Sequence, residues 1–558
     1  MGNATACAQT VVRELVAHGV REVVLAPGSR SAPLAYALWA ADRDGALRLH
    51  VRVDERTAGF LALGLARGSA APVAVVTTSG TAVAHLHPAV LEAWHAHVPL
   101  LVISADRPRD MVHTWANQTT HQDQLFAGHV RAQAGLSDAR EDPDGWRFEV
   151  ARLVVAATGV RSRLPGPVNL NIELREPLVP FSSPEPVEGP GSGPSTGSGG
   201  GGPSTSGSFV RVMPSAAGPA VALAAGPRTV VVAGDLPPVA GRKVAELAAA
   251  AGVPLLAEPS SNARGGSTAI ATYRVLLGSG LADRVERVVL FGHPTLSRPV
   301  TSLLSRPEVE LLVVSAYADW PDPGRSAARV VDGVELEAGS DPEWLAAWQH
   351  QDARVGQGLA ELLDRQPMLT GPTVARMVWS TMGADQILFA GASNPVRDLD
   401  LAPAAAATPA VYANRGLSGI DGSISSAVGL ALATDRPVTA LLGDLTTIHD
   451  LTGLVIGPAE PRPDLRIVVA NDDGGSIFVT LEHGRPEHAE AYERIFGTPH
   501  GVDFAAVARA VGAGYRRAES ASELGAALVE SPHGLELVEA VVDRRGRRAL
   551  TQAIGALA

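Results

Sequence analysis

The run Val438-Thr439-Ala440-Leu441-Leu442-Gly443-Asp444-Leu445 and its echo, Leu465-Arg466-Ile467-Val468-Val469-Ala470-Asn471-Asp472-Asp473-Gly474, decide how this chain is read. Each is a short, continuous apolar run without alternation, the pattern of a strand buried on both faces of a parallel sheet. Each ends in glycine or asparagine beside an aspartate. Asp472 follows Asp444 by 28 residues. One helix and one strand fill that gap, so the two loops can be neighbours at one sheet edge. Ligands of open α/β sheets gather at such carboxyl ends. Two carboxylates and a main-chain carbonyl are hard oxygen ligands that suit Mg²⁺ and leave room in its shell for phosphate oxygens and water. The glycines let the main chain approach a diphosphate closely. Gly-Asp after a strand is common, and Gly234-Asp235-Leu236 repeats it. There the position matching Asp472 is Ala263, which cannot ligate.

Strands of the same kind recur outward from this pair. Val23-Val24-Leu25-Ala26 runs into Pro27-Gly28-Ser29-Arg30, and Leu47 to Val53 runs into Asp54-Glu55. Val73-Ala74-Val75-Val76 ends at Thr77-Thr78-Ser79-Gly80, and Leu100-Leu101-Val102-Ile103 ends at Ser104-Ala105-Asp106-Arg107. A second set follows at Val230 to Ala233, Val288 to Phe291 and Leu311 to Val314, and fades in the stretch Asp341 to Gln357. A third begins near Thr370 and closes with a strand over Leu535 to Val542. The expected fold class is α/β, with three doubly wound parallel-sheet domains. Their expected bounds are 1–181, 209–357 and 370–558, and the Gly/Ser/Pro-rich segment 182–208 reads as a flexible linker.

Composition narrows the chemistry. The 558 residues carry 46 Lys and Arg against 58 Asp and Glu, a net charge of −12. The single cysteine, Cys7, excludes an internal disulfide and thiolate-cluster metal sites. Lys243 is the only lysine and sits in Gly241-Arg242-Lys243-Val244, which is no Walker loop. Net acidity argues against nonspecific nucleic-acid binding. No apolar run is long enough to span a membrane, and no signal-peptide pattern opens the chain, so a cytoplasmic protein is expected.

The Asp444/Asp472 arrangement resembles the signature of thiamine-diphosphate enzymes: Gly-Asp-Gly, a helix and a strand, then Asn-Asn. Leu445 stands in place of the last glycine of the first part, and Asp472 in place of the second asparagine. Further runs are similar to the MenD family, the 2-succinyl-5-enolpyruvyl-6-hydroxy-3-cyclohexene-1-carboxylate synthases of menaquinone biosynthesis. They are Pro27 to Leu34, Asp54-Glu55-Arg56, Ser104 to Pro108, Ala116-Asn117-Gln118, Ser393 to Arg397, Asn414-Arg415-Gly416, Ser418 to Gly422 and Gly474 to Phe478. The resemblance covers nearly the whole chain outside 182–208. It implies a pyrimidine-binding, a central and a diphosphate-binding domain in that order. It implies thiamine diphosphate with Mg²⁺ or Mn²⁺ as cofactors, and isochorismate and 2-oxoglutarate as substrates. It also implies a homodimer or homotetramer with active sites at the subunit interface.

By the same resemblance, Asp444, Asp472 and the main-chain oxygen of Gly474 ligate the metal. Gly443, Leu445, Ser393, Ile477 and Phe478 surround the cofactor, and Ile420 wedges beneath it. Glu55 is the carboxyl group that activates the cofactor's aminopyrimidine, although an acid at a helix start is also favoured by the helix dipole alone. Ser29, Arg30, Arg107, Asn117, Gln118, Ser393, Arg397 and Arg415 bind substrates or intermediates, and Arg298 reaches in from the central domain. Arginine grips carboxylates with a two-pronged fork. Arg30, Arg107, Arg397 and Arg415 therefore answer the four carboxylates of the two substrates. Taken singly, each arginine more often serves as a surface salt-bridge partner, and Ile420, Ile477 and Phe478 also read as core. The rival readings are another thiamine-diphosphate enzyme, such as a 2-oxoacid decarboxylase, and a non-catalytic nucleotide-binding protein of Rossmann-like domains.

Overall fold

The computed structural model describes residues 3–179, 212–224, 226–339, 341–405 and 408–558. The expected linker, 182–208, lies outside the described residues. In the first third, short Val/Leu/Ala runs form β1 (Glu22–Leu25), β2 (Arg48–Val51), β3 (Val73–Thr77), β4 (Leu100–Asp106), β5 (Ala132–Ser137) and β6 (Val168–Glu173). They pair in parallel in the order β2-β1-β3-β4-β6-β5. The middle third holds β7 (Val221–Leu223), β8 (Thr229–Ala233), β9 (Leu255–Ala257), β10 (Arg287–Phe291), β11 (Glu310–Val314), β12 (Ala327–Val331) and β13 (Val334–Leu336). Five of these form a parallel sheet, β12-β11-β10-β8-β9, while β7 and β13 pair with each other. The last third holds β14 (Ile387–Ala390), β15 (Ala410–Tyr412), β16 (Val438–Gly443), β17 (Leu465–Asn471), β18 (Gly514–Ala518) and β19 (Leu535–Val541), ordered β15-β14-β16-β17-β19-β18.

The first and last sheets therefore share one strand order. In each, chain direction across the sheet reverses beside the first strand: at β1/β3 in one and at β14/β16 in the other. Ligand crevices form at such switch points. The sheets are joined through two helices, Glu55–Ser69 after β2 and Ser423–Thr434 after β15. Small residues bring their backbones together. A methyl on Gly64 would meet the Ser426 carbonyl oxygen at 2.1 Å, and one on Gly429 would meet that of Leu61 at 2.3 Å. Their apolar faces belong to one continuous core that includes Val24 and Val75 of the first sheet and Ala440 and Ile467 of the last.

Side chains fix where these helices begin. Asp54 Oδ1 accepts from the Arg56 and Thr57 N–H groups at 2.9 and 3.3 Å. Buried Asp450 accepts from the Ser425 N–H at 2.7 Å and from its hydroxyl at 3.2 Å. Each satisfies donors that a helix start leaves open. In the middle unit, the fading strand pattern around Asp341 to Gln357 is the helix Pro342–Asp364. Trp344 and Trp348 meet edge to face at 5.7 Å and pack into the core of the second sheet with Leu550 and Ile554 of the C-terminal helix. The expected domain end at residue 357 falls inside this unbroken helix. Among the described residues, no helix is long and apolar enough to cross a membrane.

Burial pushes the Asp450 carboxyl up to about 6, against the Ser425 bonds and Arg56, which pull it down. The folded chain thus holds a proton, from the ordinary Asp value near ~4 up to that value, where the unfolded chain has released it. The stability contributed is present at the acid end and falls as pH rises through this window. Asp450→Asn keeps an oxygen for the Ser425 N–H and removes the titration. The melting temperature of the variant minus that of the wild type is expected to climb between about pH 4 and 6 and level off above; a difference flat with pH would contradict this.

Candidate functional site

The register of β16 and β17 sets Gly443 opposite Ala470, which brings the two aspartate loops side by side. Asp444 opens the helix Asp444–His449 and is 2% exposed. Its Oδ2 accepts from the Gly474 N–H at 2.9 Å and the Asp472 N–H at 3.1 Å, and its Oδ1 accepts from the Leu445 N–H at 2.6 Å. One carboxylate thus organises both loops. His500 adds to it. The Val502 N–H donates to His500 Nδ1 at 3.0 Å, which leaves the ring proton on Nε2, 3.3 Å from Asp444 Oδ2.

Asp472 is not satisfied in this way. Its Oδ1 is buried without a hydrogen-bond partner. Burial first, and then the nearby Asp444 charge, push its carboxyl up to about 7. Two buried acids with an unmet acceptor make a place for a cation, because an uncompensated buried charge is costly. Among the described residues, no group of three His, Cys, Asp or Glu side chains can hold a metal. A third protein ligand here has to be a main-chain, hydroxyl or amide oxygen, and oxygen donors suit Mg²⁺. The residues present therefore fit a metal-bound diphosphate.

A cavity of about 320 Å³ opens beside this pair at the β14/β16 switch point. Ser393, Gly443, Asp444, Leu445, Asp472 and Gly474 line its polar side. Ile420, Ile477 and Phe478 line it with apolar surface. A methyl placed on Gly443 would make only ordinary contacts, with Thr446 Oγ1 at 3.9 Å and Pro395 Cγ at 4.0 Å, so the main chain is not crowded there. Sequence reading missed several lining residues. Asn394 donates to Ser476 Oγ at 2.7 Å. Arg544 donates to the Asp473 carbonyl at 2.8 Å, and Arg547 holds Asp398 with bonds of 2.6 and 2.9 Å. Both arginines draw the Asp472 carboxyl down by charge. The signal for them was the basic run Arg544 to Arg548 at the carboxyl end of β19. His500 carried no such signal.

Glu55, Ser29, Arg30, Arg107, Asn117 and Gln118 do not line this cavity. They lie after β1, β2 and β4 on the first sheet. Arg107 Nη1 donates to Ser79 Oγ and, at 3.1 Å, to the Gln118 carbonyl. Gln118, at φ 60°, donates back to the Ser79 carbonyl at 2.8 Å. Arg30 donates to the Leu174 carbonyl at 2.8 Å, and its Nε is buried without a partner. Burial and then the Arg30 charge pull Arg107 below the ordinary arginine value. Two guanidinium groups so placed favour an anion. Ser29 and Asn117 are exposed. Glu55 is half-buried, and its carboxylate makes no hydrogen bond or ion pair with any described residue.

The other three arginines lie between the middle and last units. Arg397 donates to the Ser393 carbonyl at 2.7 Å, next to the cavity. Burial, then Arg415 and Arg274, pull its pKa down. Arg415 is 2% exposed and bound to Thr295. Arg298 is exposed at the start of the helix Arg298–Leu304; after Glu482's own N–H, its charge helps hold the Glu482 carboxyl low. The repeated Gly234-Asp235 is structural. Asp235 pairs with Arg67 at 3.0 Å, and Asn262 bonds both main-chain groups of Val411.

Residues 5–127 match the family model described as thiamine pyrophosphate enzyme, N-terminal TPP binding domain, and residues 401–539 match that of the C-terminal TPP binding domain. Among curated proteins, the chain is 48% identical to a 2-succinyl-5-enolpyruvyl-6-hydroxy-3-cyclohexene-1-carboxylate synthase of Kineococcus radiotolerans, over 100% of this chain and 99% of the relative. It is 47% identical to the synthase of the same name from a Nocardioides species, over 100% and 98%. The corresponding Paenarthrobacter aurescens protein is 46% identical over 97% and 95%.

Gly474 offers a test of the loop. Its φ is +147°, and a methyl there would sit 1.9 Å from the Gly497 carbonyl oxygen. Gly474→Ala is expected to destabilise the chain by about 2 kcal/mol or more and to weaken binding of Mg²⁺ with thiamine diphosphate. Thermal melting and calorimetry check both; unchanged values would contradict the close approach.

Proposed function

The chain belongs to the 2-succinyl-5-enolpyruvyl-6-hydroxy-3-cyclohexene-1-carboxylate synthases, and from that premise we propose that the β14/β16 cavity holds thiamine diphosphate and is completed by a second copy of the chain. The protein is a thiamine-diphosphate-dependent transferase of menaquinone biosynthesis that forms a carbon–carbon bond between 2-oxoglutarate and isochorismate. When bound, thiamine diphosphate would supply the carbanion chemistry that decarboxylation of a 2-oxo acid and carbon–carbon bond formation require.

The observation that carries the site assignment is the unpartnered Asp472 Oδ1 beside Asp444 at the wall of the cavity. Asp444, Asp472 and the Gly474 carbonyl would hold the metal, and the uncrowded main chain at Gly443 would admit the diphosphate. Ile420, Ile477 and Phe478 exclude water around the organic part. Glu55 would hydrogen-bond to a ring nitrogen of the cofactor, a role open to a carboxyl that has no partner among the described residues. Arg30 and Arg107 on one side and Arg397 and Arg415 on the other bind the substrate carboxylates. Ser29, Asn117, Gln118, Ser393 and Arg298 orient the same ligands. Arginines concentrated around the site draw dianionic substrates to a protein of net charge −12.

The arrangement of the two residue groups supports a homodimer at least. The first unit supplies Glu55 and its arginines, and the last unit supplies the diphosphate cavity. The residues of the first group do not line the cavity of their own chain, and Trp115 and Val53, beside Asn117 and Glu55, are 98% and 80% exposed. Glu55→Gln and Asp444→Ala are each expected to abolish turnover alone. Unfolded and refolded together in equal amounts, they should recover about a quarter of wild-type activity, because half of the sites in mixed dimers are intact. No recovery would place both residues in one chain's site. Supplying 2-oxoglutarate with and without isochorismate tests the reaction. Carboligation product is expected only with both, and succinic semialdehyde as the sole product in every mixture would refute it.

A further inference from the structure

Arg415 is a buried cation whose arrangement is set from two other units of the fold. It lies between β15 and the helix Ser423–Thr434, in the run Asn414 to Leu417. Glu92, on the helix His87–His95 of the first unit, is 4% exposed. Its Oε1 accepts from the Gly416 N–H at 2.7 Å and its Oε2 from the Leu417 N–H at 2.8 Å. A methyl on Gly416 would lie 2.7 Å from the Glu92 carbonyl oxygen and 3.0 Å from His95 Cβ, so the loop rests directly on that helix. From the middle unit, Glu258, 2% exposed, accepts from the Thr295 and Leu296 N–H groups at 3.2 and 2.9 Å. Thr295 Oγ1 in turn accepts from Arg415 Nε and Nη2 at 2.9 and 2.5 Å.

The third guanidinium nitrogen, Nη1, is buried without a partner. A buried guanidinium normally touches a carboxylate, since a buried charge without one is costly. Here the nearest fixed contact is a neutral hydroxyl, and the glutamate stands one residue behind it. The charge of Arg397 lies close as well. The local environment is thus short of an anion that can meet Nη1 directly.

We propose that Glu92 and Glu258 are positioning residues for Arg415: Glu92 fixes its main chain, Glu258 fixes its guanidinium through Thr295, and Nη1 is thereby held ready for a substrate carboxylate. The proposal rests on the reading of Arg415 as a substrate-binding arginine. A glutamate that merely braces two loops would, on removal, loosen the fold and the cofactor site together. A positioning residue shifts substrate binding with the fold intact.

Thr295→Val, nearly isosteric, and Glu92→Gln, which keeps one acceptor oxygen, test this beside Arg415→Ala and the double variant Thr295→Val/Arg415→Ala. The readouts are KM for each substrate, kcat, thiamine-diphosphate affinity and melting temperature. Thr295→Val and Glu92→Gln are expected to raise KM for one dicarboxylate about tenfold. Cofactor affinity and melting temperature should stay near wild type and kcat within about threefold. The double variant should be no worse than Arg415→Ala alone, as coupled residues are non-additive. If Arg415→Ala raises KM while both positioning variants leave it unchanged, the proposal is overturned and the substrate role of Arg415 stands. If Arg415→Ala itself leaves KM unchanged, that underlying role is what fails. A fall in melting temperature and cofactor affinity that accounts for the lost activity overturns the proposal in favour of bracing.

Discussion

Two carboxylates buried at the carboxyl ends of adjacent parallel strands are the constraint around which the last third of this chain is arranged. Asp444 alone would be a satisfied buried acid, with three main-chain N–H groups and His500 around it. Asp472 leaves an oxygen unmet, and burial with its neighbour's charge drives its carboxyl up. Charge of one sign at this distance from water asks for a compensating cation. Gly443, Gly474 with its positive φ, and the arginines Arg544 and Arg547 line the cavity beside that pair.

The fold prepares this site by repetition. The first and last sheets share one strand order and therefore one kind of switch-point crevice. The crevice of the last sheet carries acids and glycines. The crevice of the first carries Arg30, Arg107 and their polar neighbours. The helices Glu55–Ser69 and Ser423–Thr434 pack with their backbones in contact, which ties the sheets into one core. Among the described residues, the Glu55 carboxylate at the start of the first of these helices has no hydrogen-bond or ion-pair partner.

Much of this was legible in the sequence because strands buried on both faces leave continuous apolar runs, and the glycines and acids that end them mark the crevice. Val230 to Ala233 and Leu465 to Ala470 show it directly. What stayed hidden had no local pattern. β5 is an edge strand of Ala-Gln-Ala-Gly-Leu-Ser with no apolar run, and β18 is an exposed edge containing Tyr515, Arg516 and Arg517. The helix Pro342–Asp364 buries only a stripe, so its polar face masked it. Glu92, Thr295 and His500 act on partners far away in sequence, and only folding brings them together.

The claim that the Asp444/Asp472 pair is a metal site for a diphosphate is tested most directly by calorimetric titration of thiamine diphosphate into the metal-stripped wild-type chain, with and without Mg²⁺. Binding with Mg²⁺ present is expected to be at least about a hundredfold tighter than in the presence of a chelator, since the two acids repel an uncompensated diphosphate. Equal affinity in both conditions would contradict the account.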